Sequence, residues 1–408
     1  MRMKMKTVLI ILAIETIVAN TQIYFEYDNL EYSEKPIPVV GFEASKILFA
    51  SDIYKQLNKI EQSNFLFCPL SLQVLLALAH VGAGGNTAHE LAEGIRLPDN
   101  PNKIKNAVQE LILKVSKPYK LTSVNKIYLA NDFKINEYFK NIAISIYNSD
   151  IENIDFNYKE EAADKINQWV KEKTNNTITD FINDKDFDKS TLSVIANAMY
   201  FNANWMYQFD PNLTKPTTFY IDDVRQVEID MLYKKMPVNT YVNELLGAKY
   251  LELPYEGGEV SMTIILPKEK GQLKMLQDNI ELILVKPPYK KLKSLTHIWI
   301  PKFQMKYSID LKPLLTKLGI KEAFTAAANF SGITNNRNQL SITHAIQKTF
   351  IKVTESGTNA GSLTGVVAGE RGLTKFVVNH PFIYIIRHRK NGILFVGRYT
   401  NPIGTEVN

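Results

Sequence analysis

Between Glu355 and Glu370 the chain reads Ser-Gly-Thr-Asn-Ala-Gly-Ser-Leu-Thr-Gly-Val-Val-Ala-Gly, without a charge or a proline. Gly, Ser and Thr dominate the run, which is the composition of a flexible linker. Read with period two, however, Thr358, Ala360, Ser362, Thr364, Val366 and Ala368 fall on one face, and all are small. Asn359, Gly361, Leu363, Gly365, Val367 and Gly369 fall on the other, and nothing in the run forbids a central strand. A segment that can lie exposed and can also enter a sheet constrains the rest of the chain to supply that sheet. A strand, Ala345-Ile-Gln-Lys-Thr-Phe-Ile-Lys-Val-Thr-Glu355, leads into it, and Glu370, Arg371 and Gly372 follow it. Arg is the side chain that trypsin-like proteases select, through an Asp at the base of their specificity pocket.

The remaining periodicities alternate between helix and strand. Phe49, Ile53, Leu57 and Ile60 recur at helical spacing between Phe42 and Glu61, and Asn64-Phe-Leu-Phe-Cys-Pro69-Leu-Ser71 opens an apolar helix through His80. Ser123–Ala130 reads as a strand. Ile135, Tyr138, Phe139, Ile142 and Ile146 mark a helix, and Ala162, Ile166, Trp169 and Val170 mark the next. Leu192–Asn202 is almost continuously apolar, which suits a strand buried on both faces. Leu246–Tyr255 and Glu259–Pro267 pair across Glu256-Gly-Gly258, Thr296–Tyr307 adds one strand, and Leu311–Leu318 a helix. A hairpin region begins at Phe376, with Asn391-Gly392 predicting a type I′ turn between Phe382–His388 and Ile393–Thr400.

Motifs for catalysis or cofactors fail one by one. Gly82-Ala-Gly-Gly-Asn-Thr87 lacks the Gly-Lys-Ser/Thr of a phosphate loop and reads as a helix cap and turn, and His89-Glu-Leu-Ala-Glu93 ends on Glu where a zinc protease needs His. The six histidines are scattered, with no Gly-x-Ser-x-Gly and no paired cysteines. No catalytic residue, metal or cofactor is expected. The net charge of +6 is mild and the basic runs are short, so a solvated surface is expected and neither a nucleic-acid nor a membrane partner.

At the Gly-rich run and downstream of it the chain resembles the serpins, serine protease inhibitors that offer a bait loop and insert it into their main sheet once it is cut, a recognised case of strand addition. The family's hinge, usually Glu-Glu-Gly-Thr before an alanine-rich run, is matched as Glu355-Ser-Gly357-Thr358-Asn-Ala360, with Ser362 further along. Its downstream signature is matched as Phe376-Val-Val-Asn-His380-Pro381-Phe382-Ile-Tyr-Ile-Ile-Arg387. The resemblance extends from about Pro36 to Gly404 and implies an α+β fold of mixed sheets surrounded by helices, with an exposed reactive-centre loop at about 356–375. It also implies one domain, residues 20–408. Ser71, Asn197 and Trp205 fall at family positions in the region where the sheet parts, Cys68 replaces a serine, and Gln347 stands at the usual histidine.

The resemblance places the cut fourteen residues beyond the hinge glycine, at Arg371–Gly372; Leu373 and Lys375 are other possible baits, and a register shift of one points to Glu370. The expected function is suicide inhibition of a trypsin-like serine protease, held as a covalent complex by a monomer. The alternative is a non-inhibitory binding, carrier or storage protein. Basic Met1–Lys6 followed by apolar Thr7–Ile14 resembles a secretory leader, residues 1–19, so an extracellular protein is expected. The apolar run is too short for a membrane span. Sequons at Asn175, Asn212 and Asn329 are candidate glycosylation sites. An Asn-, Lys- and Ile-rich composition hints at an AT-rich genome such as a parasite's, which would make a host immune or clotting protease the natural target.

Overall fold

The structure, a computed structural model, describes residues 40–97, 119–287, 293–334, 340–356, 374–390 and 392–405. The chain divides into two compact units interleaved in sequence: Phe65–Asn204 with Phe303–Val353, and Trp205–Lys302 with Thr354–Glu406 and the segment ending at Asn64.

In the first unit β1 (Phe65–Phe67) leads through Cys68 into α2 (Pro69–Val81), α1 being the Val40–Ile60 helix of the other unit. Cys68 caps α2 and Pro69 takes its first turn, where a missing N–H costs nothing. Nearly every residue of α2 is buried, as its all-round apolar sequence demands. There follow α3 (Gly85–Gly94), β2 (Lys120–Ala130), α4 (Glu137–Ser145), β3 (Ser149–Ile154), α5 (Lys159–Lys173) and β4 (Ser193–Asn202). The Gly82–Thr87 stretch caps α2 at Gly82 and starts α3 at Gly85, as expected of a turn between helices. Tyr138, expected on the apolar face of α4, is 75% exposed, while its neighbour Phe139 is buried; Asn136 Oδ1 caps the helix by accepting from the N–H groups of both.

β10 (Phe303–Asp310), α8 (Leu311–Lys317) and β11 (His344–Val353) complete this unit, with sheet order β10–β11–β4–β2–β3. β4 is central: antiparallel to β2, parallel to β11, and buried along almost its whole length. Ala196 and Ala198 join Ile166, Val170, Phe181 and Phe187 in the core on the α5 side. The alternate residues of β4 face α2.

The second unit contains β5 (Lys215–Tyr220), β6 (Gln226–Asn243), β7 (Ala248–Pro254), β8 (Val260–Pro267), α6 (Leu273–Asp278), α7 (Ile280–Ile283), β9 (Ser294–Pro301), β12 (Thr374–Val377), β13 (Phe382–His388) and β14 (Gly392–Tyr399). Its strands run in the order β14–β13–β8–β7–β6–β9–β12, with β5 on β6. The long β6 pairs first with β5, then with β9, and at its far end with β7, so one strand joins the two halves of the sheet. In the β13–β14 ladder Gly397 faces Tyr384, and a Cβ there would stand 2.1 Å from the ring. Only glycine lets this buried ring lie flat across the partner strand.

Three sequence expectations need correction. Thr296–Tyr307 is two strands, β9 and β10, which separate at Lys302 and belong to different units. The hairpin does not begin at Phe376: that residue lies on β12, parallel to β9, and the hairpin starts at Phe382. Gly392 is already paired with His388, so it closes the β13–β14 ladder at φ +78° and does not sit at the centre of a two-residue turn.

Candidate functional site

Where β11 lies beside β4, amides stand where a sheet would ordinarily bury apolar side chains. Register sets Gln347 of β11 opposite Asn197 of β4, and Asn197 opposite Asn125 of β2, a row across three strands. Gln347 and Asn197 are wholly buried and Asn125 nearly so. Gln347 Nε2 donates to Asn197 Oδ1 at 2.6 Å and to Cys68 O at 3.1 Å, and its Oε1 accepts from Cys68 N at 2.9 Å. Asn197 Nδ2 donates to Asn125 Oδ1 at 2.5 Å and to Ser71 Oγ, whose hydroxyl lies 3.3 Å from that of Ser123. One residue pair along, Thr349 Oγ1 donates to Leu66 O at 3.0 Å. The buried amides thus find the partners that burial requires, and the row fastens the sheet to the start of α2.

Cys68 takes part mainly through its backbone. Its Sγ accepts from Ser71 N at 3.4 Å, and burial pushes the thiol up to about 12 against the backbone N–H groups of Ser71 and Leu70. It remains a thiol and packs as one.

The other unit holds the root of the Gly-rich segment. Trp205 Nε1 donates to Thr354 O at 2.9 Å, and Phe209 N to Glu355 O at 3.3 Å. The Glu355 carboxylate accepts from Thr214 Oγ1 at 2.9 Å and pairs with Lys302 Nζ at 3.0 Å. Burial alone would raise this carboxyl, but the backbone hydrogen bond at Glu355, Lys302 and Thr214 together outweigh it and hold it below the usual range. Trp205 is stacked on Tyr255 at 4.3 Å and meets Phe209 edge-on at 6.2 Å. The backbone is therefore gripped up to Glu355, two residues before Gly357, at the base of the predicted hinge.

A model of the family described as Serpin (serine protease inhibitor) matches residues 44–402. The chain belongs to the serpin family. It is 32% identical to neuroserpin of Gallus gallus over 371 residues, 86% of this chain and 89% of that one. Serpin48 of the insect Tenebrio molitor, described as a highly specific serpin, superposes with a TM-score of 0.82 at 34% identity, covering 90% of this chain and all of that one. Human thyroxine-binding globulin superposes at 0.79 with 25% identity over 88% and 98% of the two chains. Serpins are serine protease inhibitors and not enzymes.

Of the serpin positions expected from sequence, Ser71, Asn197 and Gln347 come together in one cluster, while Trp205 and Glu355 come together in the other unit. Asn125, Lys302 and Thr214 are partners that sequence reading missed. Asn125 does carry a signal, a polar residue inside an otherwise strand-like run. Gly357, Thr358, Ala360, Ser362, Arg371 and Gly372 lie outside the described residues. His380 and Phe382 are buried, Phe382 beginning β13 with its ring 5.2 Å from Tyr399. Burial lowers His380 to about 4, with Lys249 and Lys270 acting in the same direction against a backbone hydrogen bond at Pro381. Asn175 is exposed in a turn, and Asn212 is exposed in the short 3₁₀ helix Pro211–Leu213. Asn329 is exposed too, but its Nδ2 packs against Gly84, where a Cβ would come within 2.8 Å. No helix among the described residues is long and apolar enough to cross a membrane.

Proposed function

We propose that this serpin is a secreted suicide inhibitor of trypsin-like serine proteases, working as a single module over residues 20–408 and cut at Arg371–Gly372. The observation that carries this reading is the parallel pairing of β11 with β4, from His344↔Val194 to Ile351↔Phe201, directly upstream of a charge-free segment. A strand that continues from β11 and turns back would run antiparallel to both β11 and β4. Inserted between them, it exchanges one parallel ladder for two antiparallel ones, which pair somewhat better per residue. Opening the seam breaks the Gln347–Asn197 hydrogen bond, at a cost of about 1 kcal/mol once both amides find new partners.

In this mechanism Arg371 fills the protease's specificity pocket, the serine attacks its carbonyl, and the peptide N–H of Gly372 leaves as the new N-terminus. The loop then enters from Thr358, and the tethered protease is pulled against its anchor until its oxyanion hole is distorted and water cannot release the acyl group. Glu355, held by Lys302 and Thr214, fixes where the hinge begins. Lys375 lies within β12, laddered to His297 of β9, which favours a bait N-terminal to it and supports Arg371. Asn175 and Asn212 are the sequons most open to a glycan, and the target is a host cascade protease if the source is a parasite.

Incubation with trypsin should give an SDS-stable complex, and mass spectrometry of it should find a new N-terminus at Gly372. Arg371→Ala should abolish the complex without altering the fold. The same spectra on native material should show a mature N-terminus near Asn20 and glycan masses at Asn175 or Asn212. A new N-terminus at Thr374 or Phe376 would sink the assignment, and a retained Met1 would remove the leader.

A further inference from the structure

His380 lies on the short connection between β12 and β13. Its ring is buried, 5% exposed, and Nδ1 meets no hydrogen-bond partner. A buried ring nitrogen left in this state is costly, and such orphans ordinarily mark the place of a water or an ion. The residues around it all belong to the second unit. Tyr220, the last residue of β5, donates its N–H to Asn379 O at 2.8 Å, so β5 ends against the residue before His380. Lys270 stands over the Tyr220 ring, with Nζ 3.0 Å from the centroid. Lys249 lies on β7 between Val242 of β6 and Leu266 of β8, and Lys268 N donates to Gly247 O at 2.8 Å, which brings the stretch after β8 alongside the start of β7.

Lys249 and Lys270 both act on His380 through space, in the direction that disfavours its charge. Neither lysine is neutralised. Glu244 pairs with Lys268 at 2.6 Å, Asp278 with Lys274 at 3.0 Å and Asp222 with Arg225 at 2.7 Å, and among the described residues no carboxylate pairs with Lys249 or Lys270. A water at Nδ1 would satisfy the ring but leave two cations facing an uncharged group. An anion satisfies all three.

We propose that Lys249, Lys270 and His380 form a binding site for a single tetrahedral oxyanion, a phosphate or sulfate group, beside the Tyr220 ring. With His380 buried and Lys249 half-buried, the site takes one such group and not a chain of them. Two lysines and an imidazolium supply charge-assisted donors, the strong kind for an oxyanion. Burial and the two lysines lower His380 to about 4. An oxyanion against the ring works the other way and raises it, so binding takes up a proton and tightens as the pH falls.

Sulfate is the probe, because its own charge stays constant near neutral pH and any pH dependence then belongs to the protein. Titration calorimetry of the full chain with sodium sulfate, against sodium chloride at matched ionic strength, should find one sulfate per chain, bound about fivefold more tightly at pH 5.5 than at pH 7.5. Inorganic phosphate and glycerol 3-phosphate should both displace it at pH 7.5; tighter displacement by the ester assigns the site to a small phosphorylated molecule, and tighter displacement by the inorganic ion assigns it to the free anion. Lys249→Gln and Lys270→Gln should each weaken sulfate about tenfold at both pH values. His380→Gln should keep binding at pH 7.5 and lose its pH dependence; if that variant does not fold, the two lysine variants still decide. No heat above the chloride control overturns the site, and so does sulfate bound equally well by wild type and both lysine variants, which would be an adventitious ion only. Binding confined to long polyanions, with sulfate and phosphate silent, overturns it as well.

Discussion

Gln347 shows what an amide can do where serpins usually carry a histidine. It donates to Cys68 O and Asn197 Oδ1 while accepting from Cys68 N, and it has no proton to gain in acid. The cluster's hydrogen bonds therefore persist as pH falls, and the acid sensitivity expected of a histidine moves elsewhere. His380 is the strongest case, lowered from the usual 6.5 to about 4. Because the unfolded chain takes up this proton first, its contribution is complete above pH 6.5 and is lost as the pH falls through 4, a span worth about 3 kcal/mol at most. His380→Gln should flatten the stability curve between those limits, as read by urea midpoints at a series of pH values. An unchanged slope would place the sensitivity at other groups. Ser71, Asn197 and Gln347 were legible because they stand at fixed offsets within local motifs. Asn125, Lys302 and Thr214 were not, since each becomes a partner only through strand register or a fold-back that spans tens of residues.

At the scale of elements, the β4–β11 seam sets the rules for any strand that enters it. Ala345, Gln347, Thr349, Ile351 and Val353 alternate inward along β11, so an added strand must present small side chains on that same face. In the proposed insertion Thr358, Ala360 and Ser362 would supply them. Thr358→Arg or Ala360→Arg would bury a cation without a partner, at a cost of several kcal/mol, and should convert the protein from inhibitor to substrate. Gel analysis with trypsin should then show cleaved chain and no SDS-stable band; a band of wild-type intensity would mean that insertion is not needed for trapping. The central strand β4 was readable because burial on both faces leaves a continuous apolar run. The division between β9 and β10 was hidden because its only mark is a one-residue slip, the buried set passing from Thr296, Ile298 and Ile300 to Pro301, Phe303 and Met305, and so short a break still reads as one long strand.

For the molecule as a whole, the proposed insertion requires that the native state, with β11 paired directly to β4, is not the most stable arrangement of the chain. Protein cut at Arg371–Gly372 should therefore withstand heating far better than intact protein in the same calorimeter. Equal melting temperatures would mean that the loop stays out, and a carrier or storage role would replace inhibition. The interleaving of the two units bears on how such a chain is made. β4 ends at Asn202 and its neighbour β11 begins at His344, about 140 residues later. At the usual pace of synthesis, β4 waits roughly 7–30 s on the ribosome with one long apolar edge open. The edge proposed to receive a strand during inhibition is thus also the one left open longest at birth, where a strand from another nascent chain can compete for the same place.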